Sequence, residues 1–282
     1  MPKVTIPSLL ERGRTGEAIV MVTAYDFPGA RAAERAGVDM VLVGDSGAQV
    51  VLGYPSTAEV TVDEMLTLAK AVRRGTESAF LVCDVPFGST EQSDAQAVAT
   101  AVRFVKEAGA DAVKLEGGGA AQLSRIGAIV AAGIPVVGHV GLTPQTATAL
   151  GGLRAQGRTE ASAARVVEEA IGVQRAGAFC VVAEAVPTEV TAVLREALEI
   201  PVIGIGAGPA EGQVLVLHDL LGVTEGRTAK FVKRYGSIGD DTVAAISAYA
   251  DDVRSGGFPG PEHQYTASPE AVAAARAAAR DA

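Results

Sequence analysis

Eight short apolar runs recur along this chain, with helix-like segments between them. They are Ile19–Tyr25, Met40–Asp45, Ala79–Pro86, Ala112–Gly117, Pro135–Leu142, Phe179–Val186, Pro201–Gly208 and Val214–Leu221. Continuous apolar runs read as strands buried on both faces, the pattern of parallel sheet covered by helices. Four intervening segments stop at Gly37, Gly109, Gly133 and Gly177. Glycine there supplies the left-handed turn out of a helix. Eight strand–helix units in 282 residues predict one α/β domain folded as a (β/α)8 barrel over the whole chain. An Ala-rich tail helix is expected at about 267–282. The alternative is a doubly wound open sheet, disfavoured by the lack of an early Gly-rich dinucleotide turn.

Composition narrows the function classes. The chain is 48% hydrophobic and 20% charged, which suits a sizeable core rather than disorder. Its 24 basic and 33 acidic residues leave a net charge of −9, which disfavours nucleic acid and anionic membrane partners. Tryptophan is absent and aromatics are only 4%, so a base-stacking surface is not expected. Cys83 and Cys180 lie inside apolar runs and read as buried thiols of a reducing compartment. Met1–Arg14 carries no apolar signal region, and no run approaches the roughly 20 apolar residues of a membrane span. The expected location is the cytoplasm.

Four of the runs end in a carboxylate: Asp45, Asp84, Glu116 and Glu184. Strand C-termini are where barrels place their chemistry. Four acids converging on one mouth repel each other unless a cation or protons intervene. Each of Asp45 and Asp84 alone reads as a loop cap. Together with Glu116 they favour a hard divalent cation such as Mg²⁺, which takes one or two carboxylates and keeps several waters. Lys114 and Glu116 are two apart in one strand and so face one side. A buried ion pair there is expensive for stability alone, which favours a functional pocket. Glu184 at a dry mouth should have a raised pKa, suited to a general base. His139 reads as a core histidine or a substrate donor, His218 as structural, and His263 carries no inference. Gly204–Pro209 follows the seventh run, where barrels bind phosphate on backbone amides, but close packing accounts for its glycines equally well. Ser46–Thr61 is a long connection, of the kind that is often functional. Arg227–Gly239 is a basic segment before a helix expected at Asp240–Arg254.

Several ordered segments carry a resemblance. They include Val43-Gly44-Asp45-Ser46, Asp84-Val85-Pro86-Phe87-Gly88-Ser89, Val113-Lys114-Leu115-Glu116-Gly117-Gly118, Gly138-His139-Val140-Gly141-Leu142-Thr143-Pro144-Gln145 and Phe231-Val232-Lys233-Arg234-Tyr235. From about Val4 to about Pro259 the chain resembles the ketopantoate hydroxymethyltransferase family. The resemblance implies a barrel of the phosphoenolpyruvate/pyruvate-type Mg-dependent superfamily, one Mg²⁺ and a homodecamer. It implies hydroxymethyl transfer from 5,10-methylenetetrahydrofolate to 3-methyl-2-oxobutanoate, giving 2-dehydropantoate, a precursor of pantothenate and coenzyme A. It assigns Asp45, Asp84 and Glu116 to the metal, directly or through water, and Glu184 to the base. Asp45, Ser46, Asp84, Lys114 and His139 would line the substrate. Where the family commonly has Leu-Gly-Met after Ser46, this chain has Gly47-Ala48-Gln49. A related 2-oxo acid lyase or mutase of the isocitrate lyase kind is the alternative; such enzymes usually carry a reactive Cys in a mobile loop, and Ser46–Thr61 has none. A barrel that has lost its activity would show an eroded acidic set, which is intact here.

Overall fold

Eight parallel strands pair in sequence order and close on themselves, β1 against β8. They are β1 (Ile19–Thr23), β2 (Met40–Val43), β3 (Phe80–Asp84), β4 (Ala112–Glu116), β5 (Val136–Gly141), β6 (Cys180–Glu184), β7 (Val202–Ile205) and β8 (Gly212–Leu215). The computed structural model describes residues 2–226 and 228–280. The chain divides into two compact units, Met1–Gly236 and Ser237–Ala282.

In the first unit the helices are α1 (Ile6–Thr15), α2 (Phe27–Ala36), α3 (Gly47–Val50), α4 (Val62–Gly75), α5 (Asp94–Ala108), α6 (Ala120–Ala131), α7 (Glu160–Arg175), α8 (Thr188–Ala197) and α9 (Leu217–Leu221). Side chains alternate across each strand, and so two apolar layers form. One lies between strands and helices and holds Val41, Val43, Leu81, Cys83, Val113, Leu115 and Val181. The other fills the barrel with Met21, Met40, Leu42, Phe80, Val82, Val137, Cys180, Val182 and Ile203. Leu9 of α1, only 1% exposed, joins that inner cluster and plugs the end where the strands begin. Both cysteines are buried free thiols. Gly37, Gly109, Gly133 and Gly177 all stand at positive φ at or just past a helix end, as the sequence predicts.

Two expectations for the barrel unit shift. The eighth run reads as a strand over Val214–Leu221, but β8 is Gly212–Leu215 and the chain turns into α9 at Leu217. The turn is held by the Leu217 amide donating to Thr23 Oγ1 at 2.8 Å. The Ser46–Thr61 connection contains α3 and a 3-10 turn at Thr57–Glu59 rather than loop alone.

The second unit contains α10 (Ile238–Ser255), a 3-10 turn at Pro261–His263 and α11 (Pro269–Ala278). The tail helix expected at 267–282 thus ends at Ala278, and residues 281 and 282 lie outside the described residues, as does Arg227. On α10, Val243, Ile246, Tyr249 and Val253 recur at helical spacing and are between 46% and 62% exposed. Among the described residues, no helix is long and apolar enough to cross a membrane.

Candidate functional site

At the C-terminal ends of the strands the interior positions change from apolar to charged. β3 runs Phe80, Val82, Asp84 along its inner face; β4 ends on Lys114 and Glu116, and β6 on Glu184. Parallel pairing sets Asp84 level with Lys114 and Glu116 level with His139. Together with Asp45 and Ser46 just past β2, Asp84, Lys114, Glu116, His139 and Glu184 line one cavity of about 530 Å³. The structure therefore brings together every site residue the sequence singles out. Asp45, Asp84, Lys114 and His139 are each no more than 5% exposed.

The contacts are more specific than spacing suggests. Lys114 shares its pocket with Glu116, but its ammonium lies 3.0 Å from Asp84 Oδ1 and 2.9 Å from His139 Nδ1. An ammonium can only donate, so His139 Nδ1 accepts and the imidazole proton sits on Nε2. That nitrogen is 3.3 Å from Glu184 Oε2, near enough to interact but not aligned as a hydrogen bond. Asp84 Oδ2 accepts the Asp45 amide at 3.0 Å. Ser46 Oγ shares a hydrogen bond of 2.8 Å with the buried Tyr25 hydroxyl, and the Tyr25 ring packs closely beside Gly47.

One residue that binds this cluster together has no role that spacing alone assigns. Gln145 Nε2 donates to Asp45 Oδ2 at 2.8 Å and to the Val85 carbonyl at 3.0 Å, while its amide donates to Glu116 Oε2 at 3.0 Å. Thus a single residue ties the loops after β2 and β3 to the last residue of β4. Its signal was present: a polar residue three positions past Leu142, closing the segment that begins with Gly138. A second feature, Ala185, leaves no sequence signal. It adopts φ +50 immediately after Glu184, a strained setting for a residue with a Cβ. Its amide and carbonyl are held by the Ile205 carbonyl and the Gln156 amide, each at 2.9 Å.

The electrostatics show a site short of positive charge. Burial, then the neighbouring Asp84, pushes the Asp45 carboxyl up to about 7. Burial raises Glu116 well above the usual range, with Asp45 and Asp84 adding to it, against the pull of Lys114. Burial likewise raises Glu184 to about 7. Burial alone would lower Lys114, but Asp84, Glu116 and Asp45 outweigh it and keep the ammonium charged. Burial and the Lys114 charge hold His139 neutral. Asp84 Oδ1 is buried and, although in ion-pair range of Lys114, lacks an aligned donor. An orphaned carboxylate oxygen among repelling acids fits a hard cation. Among the described residues no three His, Cys, Asp or Glu side chains close into a ligand cluster by themselves. A cation here would therefore need water or substrate to complete its shell, which is the habit of Mg²⁺.

The Gly204–Pro209 turn takes the packing reading. Its glycines face side chains: Gln213 beside Gly204, Phe231 beside Gly206 and Thr188 beside Gly208. His218 stacks near Tyr25 with ring centroids 5.4 Å apart, a structural contact.

A family model described as ketopantoate hydroxymethyltransferase matches residues 3–261. A 3-methyl-2-oxobutanoate hydroxymethyltransferase of Moorella thermoacetica is 52% identical, covering 93% of this chain and 98% of that protein. One of Deinococcus radiodurans is 49% identical, covering 96% and 95%. Among solved structures, phosphonopyruvate hydrolase in complex with oxalate and Mg²⁺ superposes with a TM-score of 0.60 at 15% identity, over 93% of each chain. A 2,3-dimethylmalate lyase of the PEP mutase/isocitrate lyase superfamily gives 0.57 at 17%, covering 99% of this chain and 100% of that one. These distant structures share the barrel fold.

Proposed function

The chain belongs to the ketopantoate hydroxymethyltransferase family, and from that premise we propose that it transfers a hydroxymethyl group from 5,10-methylenetetrahydrofolate to 3-methyl-2-oxobutanoate. The observation that carries this reading is a buried carboxylate, Glu184, raised to about 7 at the edge of a cavity whose depth holds one cation among three further acids. A base poised near neutrality suits removal of a weakly acidic proton.

The chain's own residues divide the work. Lys114, charged and buried, meets the carboxylate of the oxo acid, with Ser46 beside it. Glu184 takes the proton from C3. The C3–H bond breaks and its electron pair forms the new bond to the one-carbon unit; both C–N bonds to the folate break, water supplies the hydroxyl, and the C3 proton and the other water proton end on the two freed nitrogens of tetrahydrofolate. His139, neutral, places Nε2 3.3 Å from Glu184, beside the base, while Lys114 favours its ionised form. Asp45 and Asp84, with Glu116 directly or through water, would hold Mg²⁺; Gln145 keeps Asp45 and Glu116 in register, and the Asp45 amide holds Asp84. When bound, the cation supplies Lewis-acid polarisation of the ketone oxygen. The product, 2-dehydropantoate, feeds pantothenate and coenzyme A synthesis.

The test combines two measurements. The protein should exchange the C3 hydrogen of 3-methyl-2-oxobutanoate for deuterium in a Mg²⁺-dependent manner, and form hydroxymethylated product once the folate donor is added. Asp45→Ala with Asp84→Ala should abolish calorimetric Mg²⁺ binding. Retention of parental Mg²⁺ affinity would place the metal elsewhere.

We further propose that the chain works as a homo-oligomer, of decamer size by family likeness. The exposed stripe on α10 supports self-association, since apolar faces of this kind normally find a partner. Light scattering at micromolar concentration tests this, and a monomeric mass would refute it.

A further inference from the structure

The cavity is larger than a small oxo acid fills. Its depth belongs to Lys114 and the carboxylates. Its outer wall carries Leu153, 69% exposed, and Phe231, 38% exposed, together with Arg154 and Lys230. Neither cation forms a salt bridge with any described residue, in contrast to Arg125, Arg165 and Arg195 on the same barrel. One acid, Asp219, also lines this part. The Phe231 position is built rather than incidental. Gly206 stands at φ +64, and a Cβ on it would overlap the Phe231 ring. The glycine turn after β7 is thus a seat that sets an aromatic ring on the cavity wall.

The second reactant must reach the buried carbon past four carboxylates in a chain of net charge −9. An anionic donor would be repelled there unless cations at the rim receive it. Resting on the hydroxymethyl-transfer reading, we propose that this outer wall is the donor subsite. Phe231 packs against the ring system of the folate, and Arg154 and Lys230 take its glutamate carboxylates.

The experiment separates this subsite from the chemistry below it. The KM for 5,10-methylenetetrahydrofolate is measured in Phe231→Ala, in Gly206→Ala and in the pair Arg154→Ala with Lys230→Ala, using mono- and triglutamate forms. Deuterium exchange at C3 of the oxo acid, run without donor, reports fold and base in the same samples. Both aromatic-seat variants should raise the donor KM at least tenfold, and the charge variant should lose any preference for the triglutamate. Exchange and the oxo acid KM should stay within twofold. A donor KM within twofold of the parent in all three variants overturns the proposal. So does a parallel loss of exchange, which would assign these residues to the oxo acid. A parent protein without exchange refutes instead the reading on which the subsite rests.

Discussion

The two ends of this barrel are made by the same eight strands and filled with opposite chemistry. Where the strands begin, Ile19, Met40, Phe80 and Phe179 pack under Leu9, and the nearby ions are paired, as Arg195 is with Glu211. Where they end, one buried lysine stands among four carboxylates, three of them raised by burial. Even the carboxylates differ. Glu34, beside the start of β3, is held down at about 2; its burial opposes this, but the Ser78 hydroxyl and the amides of Glu77, Ser78 and Ala79 donate to it. The acid at one end has donors enough to outweigh its burial, whereas at the other end the donors to Asp45 and Glu116 do not offset burial and mutual repulsion. Satisfied polar groups hold a fold together, whereas the unsatisfied ones mark where a ligand completes the molecule.

Substitutions at the two ends should therefore separate catalysis from stability. The largest effect is expected for Glu184→Gln, which should lower C3 exchange by about 10²- to 10⁴-fold while oxo acid binding by calorimetry persists. Unchanged exchange would remove Glu184 from the base role. Next in size, Met40→Ala at the apolar end should cost about 3 kcal/mol of stability in urea unfolding, with exchange per folded molecule retained. A loss of exchange at full stability would blur the division between the ends.

The smallest effect is in pH, and its sign differs between the ends. Glu184 is raised from 4.5 to about 7 in the folded protein, so the fold prefers it protonated. Its contribution to metal-free stability is present below 4.5 and is lost as pH rises through about 7. With Glu184 in the proposed base role, exchange would use the ionised form and should fall as pH drops below about 7. Glu34 is lowered, so its stabilisation is present above 4.5 and lost as pH falls toward 2. Glu34→Gln should flatten the acid limb of the stability profile and leave the neutral limb unchanged. If the acid limb keeps its slope, the donors around Glu34 are not what holds that end.

Much of this was legible in the chain, for identifiable reasons. A strand buried on both faces needs apolar residues throughout, so β2, β3, β4 and β6 announce themselves. A carboxylate closing such a run breaks the apolar pattern at the very point where a barrel opens to solvent. β8 was misplaced because its signal is weak: it begins at Gly212, exposes Gln213, and the apolar run after it continues into α9. The partner of Lys114 was legible only in part. Spacing within β4 puts it beside Glu116, but its closest carboxylate comes from β3 through a pairing register that no local sequence encodes. Gln145 and Ala185 were missed for the same reason, since each acts through contacts with other strands' loops.

The closure of the sheet carries one more consequence. β1 meets β8 over four residue pairs, from Ile19 with Gly212 to Val22 with Leu215, and this seam leaves the native ring without a free strand edge. Unpaired edges are what recruit other chains into aggregates. Opening the seam exposes two such edges at once, one on each side of the gap. Every joint of the ring carries the same burden, and the shortest is β7 against β8, paired only from Ile203 with Gly212 to Gly204 with Gln213, so the weakest seam and not the average of the sheet sets when an edge is offered to a neighbour.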